Sequence, residues 1–153
     1  MEKMKIILLA ATVALFGSGA VWAADSTALT GPVKSVYDDY LKIQASLAND
    51  SMTGVAENAG TIVKAVQGDA NSMPASIATE AEALAKASSL RSARAAFKPL
   101  SDSLIKYLAD RKAQGAYVQV YCPMARASWL QAGKTVNNPY FGQAMANCGE
   151  IQN

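Results

Sequence analysis

Residues 33–47 read VKSVYDDYLKIQASL, and their apolar side chains recur with the 3.6-residue period of an α-helix. Gln44 is the one polar residue on that apolar stripe. Pro99 lies inside the last of four such segments and, because it lacks a backbone donor, predicts a kink there. The four predicted helices cover about residues 32–47, 52–67, 74–87 and 90–112. The pattern predicts an all-α fold, a four-helix bundle with a kinked last helix and an irregular C-terminal tail over residues 116–153.

The composition narrows the classes of function. The chain has 153 residues, of which 51% are hydrophobic and 17% charged, with a net charge of +2. These values fit one packed domain and argue against disorder or a polybasic surface for nucleic acid. Histidine is absent, which excludes histidine-dependent nucleophilic catalysis and histidine-ligated zinc. We therefore expect neither an enzyme, with no catalytic residue to name, nor a nucleic-acid partner.

The N-terminus has the pattern of an export signal. Lys3 and Lys5 precede an apolar run from Ile6 to Phe16, and small residues lead up to Ala23. Residues 1–23 are therefore predicted to be a signal peptide cleaved after Ala23, leaving residues 24–153 as a single domain. The pattern of this signal peptide is typical of export to the bacterial periplasm. We expect no stable membrane insertion after cleavage.

The pattern changes after residue 116. Polar and aromatic side chains alternate with Val118 and Val120, which predicts a short strand or an extended segment. Two short sulfur motifs follow, a Cys-x-Met at residues 122–124 and a Met-x-x-Cys at residues 145–148. Both cysteines of the chain therefore lie in the tail.

Two interpretations of these sulfur atoms remain open. Cys122 and Cys148 are the only cysteines, and in an oxidising compartment they can form a disulfide. Alternatively, their thiolates and the thioethers of Met124 and Met145 surround a soft ion, copper(I) or silver(I), which prefers such ligands. A disulfide consumes both thiolates, so the two states exclude each other unless redox chemistry interconverts them.

Three aromatic residues of the tail also admit two interpretations. They either form a binding surface or pack the tail onto the bundle as a small cluster. These residues are Trp129, Tyr140 and Phe141. Asn138 and Pro139 form a turn signal beside them.

Three stretches resemble the bacterial family known as domain of unknown function 3347. They are residues 40–47 running into Asp50, residues 94–101, and residues 121–125 with Trp129-Leu130, 138–142, Met145 and Cys148-Gly149. The resemblance implies a small exported helical domain. Similar domains also occur joined to periplasmic adaptor subunits of heavy-metal efflux pumps, which implies efflux components as partners. The resemblance also implies four candidate metal ligands: Cys122, Met124, Met145 and Cys148.

The leading hypothesis is therefore a periplasmic protein that binds copper(I) or silver(I), as a buffer or as an accessory to metal efflux. In it, both cysteines are anionic ligands and both methionines neutral ones. The alternative hypothesis is a structural or protein-interaction module without a metal, in which a Cys122–Cys148 disulfide only holds the tail.

Overall fold

A computed structural model describes residues 27–69 and 73–152. The predicted signal peptide, residues 1–23, lies outside these residues. Four helices occupy the positions that periodicity predicts, each within a few residues at either end. They are α1 (Gly31–Ala48), α2 (Val55–Gly68), α3 (Ala75–Ala85) and α4 (Leu90–Asp110).

Local signals set the helix ends. Pro32 occupies the first turn of α1, where its missing N–H costs no helical hydrogen bond. Ser89 caps α4: its side chain accepts from Ser92 N at 3.2 Å, while Ser92 Oγ accepts from Ser89 N at 3.1 Å. Helix α4 is continuous through Pro99, so the proline does not divide it in two; the predicted kink stays a prediction.

The four helices bury one apolar core. It is made by the faces that periodicity assigned to the interior, with Gln44 of α1 buried beside them. Its largest fully buried helical side chains are Tyr40, Ile43, Leu47, Ile62, Ile77, Leu84, Phe97, Leu100, Leu104 and Leu108. None of the helices in the described part of the chain is long and apolar enough to cross a membrane.

The prediction of an all-α fold with an irregular tail is wrong. A two-residue parallel pair joins β1 (Thr27–Ala28) to β2 (Ala113–Gln114). The tail then forms a three-stranded antiparallel sheet in the order β4-β3-β5. Its strands are β3 (Val118–Cys122), β4 (Ala127–Gln131) and β5 (Glu150–Gln152).

The physical reason for this error lies in the burial of β4. Periodicity identifies a strand when one face is buried and the other is exposed. In β4, Trp129 and its neighbour Leu130 are both buried, because α1 and α4 pack against this strand. The alternation therefore disappears from the sequence. The link from β3 to β4 is a tight turn in which Arg126 N donates to Pro123 O and Arg126 adopts a φ of +47°.

Candidate functional site

The structure joins the two cysteines of the tail in a disulfide, with Cα atoms 5.7 Å apart. Cys122 ends β3 and is fully buried, whereas Cys148 is half-buried and lies just before β5. Tyr121 pairs with Glu150 across the two strands, so the disulfide closes the end of the β3–β5 ladder. It thereby attaches the last strand of the chain to the middle strand of the sheet.

The two candidate methionine ligands lie on the surface. Met124 is 66% exposed in the turn between β3 and β4, and Met145 is 37% exposed at the end of a short 3-10 helix. Met145 O accepts a hydrogen bond from Cys148 N at 3.0 Å. Within residues 27–69 and 73–152, no three His, Cys, Asp or Glu side chains form a group that could hold a metal ion. The structure thus brings together the two cysteines, as sulfur atoms already bonded to each other.

A buried asparagine connects the disulfide to the preceding turn. Asn138 Nδ2 donates to Cys148 O at 2.7 Å, and its Oδ1 accepts from the backbone N–H groups of Tyr140 and Phe141. Asn138 is fully buried, so loss of its side chain would leave three part-buried backbone groups without this partner. The Asn138-Pro139 pair is a turn signal in the sequence, but its link to the cysteine is visible only in the fold.

An ion pair docks the same turn onto the helices. Arg94 of α4 donates to Asp50 Oδ1 at 2.5 Å, and also to Leu47 O and Pro139 O. Asp50 Oδ2 in turn accepts from Gln143 N at 3.1 Å. The guanidinium of Arg94 and this backbone donor hold the pKa of the Asp50 carboxyl below its ordinary value. In the sequence, Asp50 stood out only as the end of the first stretch that resembles the family.

Gly142 is required at this junction. It has a φ of +58°, and a Cβ there would overlap the side chains of Asp50 and Arg94. The ion pair, Gly142 and Pro139 come from the three separate stretches that carry the family resemblance. These stretches therefore contain residues that hold the tail against the bundle, a role that the sequence alone did not reveal.

Aromatic rings continue this contact into the core. The ring of Phe97 lies 4.9 Å from that of Tyr40 and 6.0 Å from that of Tyr140, which meets Trp129 edge-on at 5.9 Å. Tyr140 OH donates to Ser128 O at 2.7 Å, and burial raises the pKa of this phenol. Trp129 is fully buried. Of the two interpretations of the tail aromatics, the cluster that packs the tail onto the bundle is confirmed for Trp129 and Tyr140.

A cleft of about 410 Å³ opens between α1 and the tail. Its walls are Leu41, Gln44 and Ala45 of α1, part of the loop at residues 131–137, and part of the segment at residues 143–147. No lining residue is charged. Five carry carboxamides: Gln44, Gln131, Asn137, Gln143 and Asn147. The polar Gln44 on an apolar stripe was the only sequence signal for this cleft.

The chain belongs to the family described as protein of unknown function (DUF3347), whose sequence profile matches residues 36–115. The matched range runs from α1 to the residue after β2, so both cysteines and the three-stranded sheet lie outside it. No curated protein and no solved structure matches the chain.

Proposed function

We propose that this member of the DUF3347 family is an exported, disulfide-stabilised interaction module. The observation that carries the proposal is the Cys122–Cys148 disulfide, which holds β5 and the preceding segment against the helices. Disulfides persist in oxidising compartments, which agrees with the export signal predicted at residues 1–23. The module would bind a partner rather than catalyse a reaction, because a chain without histidine lacks the usual general base.

The test of this proposal is the oxidation state of the protein as the cell makes it. Protein exported to the periplasm would be purified without reductant, denatured, and treated with iodoacetamide before and after reduction. We expect no alkylated cysteine before reduction and two afterwards, by mass spectrometry. Two alkylated cysteines in the unreduced sample would contradict a stapled module. The same mass would also show whether residues 1–23 have been removed.

Copper(I) binding by the reduced protein is a second candidate function. The observation that favours it is the exposure of Met124 and Met145, each within three residues of a cysteine. Solvent-exposed thioethers beside two thiolates would suit copper(I) or silver(I). In this form the protein would buffer the metal in the periplasm or deliver it to heavy-metal efflux components.

Copper(I) titration against a competing chelator tests this candidate in the reduced protein. Replacing both cysteines with serine should abolish tight binding, and replacing Met124 and Met145 with alanine should weaken it. The matched control is Met52→Ala, since Met52 lies between α1 and α2, far along the chain from either cysteine. If the double serine variant binds copper(I) as tightly as the parent, the metal hypothesis is wrong.

A further inference from the structure

The carboxamide cleft contains a hydrogen-bond acceptor that the fold leaves unused. Gln44 is only 4% exposed, and its Nε2 donates to Asn137 O at 2.7 Å. A carbonyl oxygen can accept from the NH₂ end of a carboxamide and not from its oxygen end, so this bond fixes the orientation of the side chain. Gln44 Oε1 therefore points away from Asn137 O and accepts no hydrogen bond from the described part of the chain.

The opposite wall is a loop held rigidly by a second carboxamide. Gln131 Oε1 accepts from Trp129 Nε1 and Asn137 N, both at 3.0 Å. Its Nε2 donates to Gly133 O and Thr135 O. Gln131 is itself buried, and all its hydrogen-bonding capacity is used. The wall is thus built before any ligand arrives, which lowers the ordering cost of binding.

The third wall is fixed from both sides. Gln143 Nε2 donates to Ala48 O at 2.8 Å, and Gln143 N donates to Asp50. Asn147 directly precedes Cys148, whose carbonyl is bound by Asn138. The segment that lines the cleft therefore ends at the disulfide, and the site depends on that bond.

The chemistry of the lining selects the class of ligand. A charged group would lose hydration in the cleft without meeting an opposite charge. A carboxamide has the same donor and acceptor as a peptide bond and pairs with it in either sense. The lining contains no aromatic ring on which the apolar face of a sugar could stack. Its volume lies at the lower end of the range for ligand pockets, about 300–1,000 Å³.

We propose that this cleft binds a short, uncharged peptide segment through its backbone, with a peptide N–H donating to Gln44 Oε1. The inference rests on the proposed interaction module and names its binding site and its class of partner. The apolar side chains of Leu41 and Val136 on the cleft walls would contact small side chains of the peptide.

The test is a titration of ¹⁵N-labelled, oxidised protein with N-acetylated, C-amidated Ala-Ala-Ala, followed by NMR. We expect shifts of the Gln44 side-chain NH₂ signals and of the backbone signals of residues 135–137. The peptides Ala-Asp-Ala and Ala-Lys-Ala, blocked in the same way, should bind more weakly. Tighter binding of either charged peptide, or of maltose, would overturn the proposal, as would the absence of shifts at the cleft.

Two variants test the site itself. Gln44→Leu removes the free acceptor together with the hydrogen bond to Asn137 O, and should weaken binding about tenfold. Ala45→Leu fills the cleft from an exposed helix position without removing a hydrogen bond, and should also abolish the shifts. Ala83→Leu, at an exposed position of α3, is the matched control and should bind as the parent does. Unchanged affinity in Ala45→Leu would place the peptide elsewhere.

Reduction separates this proposal from the proposed function. If the reduced protein binds the peptide more weakly, both the cleft as the binding site and the role of the disulfide are supported. If the reduced protein binds the peptide equally well, the cleft is still the binding site, but the disulfide does not hold that site in place. If the peptide causes no NMR shifts at the cleft although the disulfide is intact, the binding site is wrong and the proposed function is unaffected.

Discussion

The helical bundle and the tail are stabilised in different ways. The bundle buries aliphatic side chains such as Ile62, Ile77 and Leu84 against one another, and such contacts are non-directional. The tail depends on individual directed contacts: the disulfide, the Asn138 hydrogen bonds and the ion pair of Arg94 with Asp50. We therefore expect the bundle to tolerate many apolar substitutions, whereas the tail depends on a few side chains of specific chemistry.

The aromatic contacts of Phe97 connect the two regions, and their removal should give the largest effect. Phe97→Ala removes the ring that touches both Tyr40 and Tyr140 and should cost about 3–5 kcal/mol. Urea denaturation would be followed by circular dichroism for the helices and by Trp129 fluorescence for the tail. In residues 24–153, Trp129 is the only tryptophan. We expect both transitions to move together.

Phe97→Leu is the control for this change, because it retains most of the buried volume and should cost less. A fluorescence transition that moves alone in Phe97→Ala would show that the ring supports only the tail.

Loss of the disulfide should separate the two regions. The cysteines are 26 residues apart in sequence, and closing such a loop stabilises the fold by about 3–4 kcal/mol in the chain-entropy account. Replacing both cysteines with alanine should therefore shift the Trp129 fluorescence transition to lower urea than the helical transition. Coincident transitions in this variant would mean that bundle and tail unfold as one unit.

Asn138→Ala should loosen the tail by a smaller amount. The change leaves Cys148 O and the amides of Tyr140 and Phe141 without their partner, at a cost of about 1–3 kcal/mol. Urea denaturation measures the loss. Asn147→Ala is the matched control, because Asn147 is exposed and its replacement should change stability by no more than about 0.5 kcal/mol. Equal effects of the two substitutions would refute the role assigned to Asn138.

The ion pair should give the smallest effect, and one that depends on pH. The pKa of Asp50 in the folded protein is below its ordinary value of 3.8. The unfolded chain therefore takes up this proton first as the pH falls. The stabilisation from Asp50 is complete above pH 3.8 and is lost as the pH falls through the lowered pKa.

Asp50→Asn should accordingly lower the free energy of unfolding at pH 6, and its difference from the parent protein should shrink as the pH falls below 3.8. Asp110→Asn is the control, because Asp110 forms an exposed pair with Lys106 within α4. A difference between Asp50→Asn and the parent that persists unchanged at pH 2 would contradict the ion-pair account.

Apolar periodicity predicted α1–α4 well, because a helix that buries one face repeats that face every 3.6 residues. In the tail it indicated β3, where Val118 and Val120 alternate with polar and aromatic residues, but it missed the other strands of the sheet for a physical reason. Strand β4 is buried on both faces, and β5 has only three residues, so neither produces the alternation of a half-buried strand. The candidate site was predicted in part: the pairing of Cys122 with Cys148 was one of two open interpretations, whereas the cleft was signalled only by Gln44.

Residue order thus specified the helices, the location of both cysteines in the tail and the absence of histidine chemistry, because these are local or compositional properties. Three-dimensional packing specified the rest. Asp50, Arg94 and Gly142 are far apart in sequence and acquire their roles where the tail meets the bundle. The free oxygen of Gln44 likewise arises only because Asn137 O, 93 residues away, occupies its NH₂ group. Such contacts depend on distance in space, which local sequence patterns do not encode.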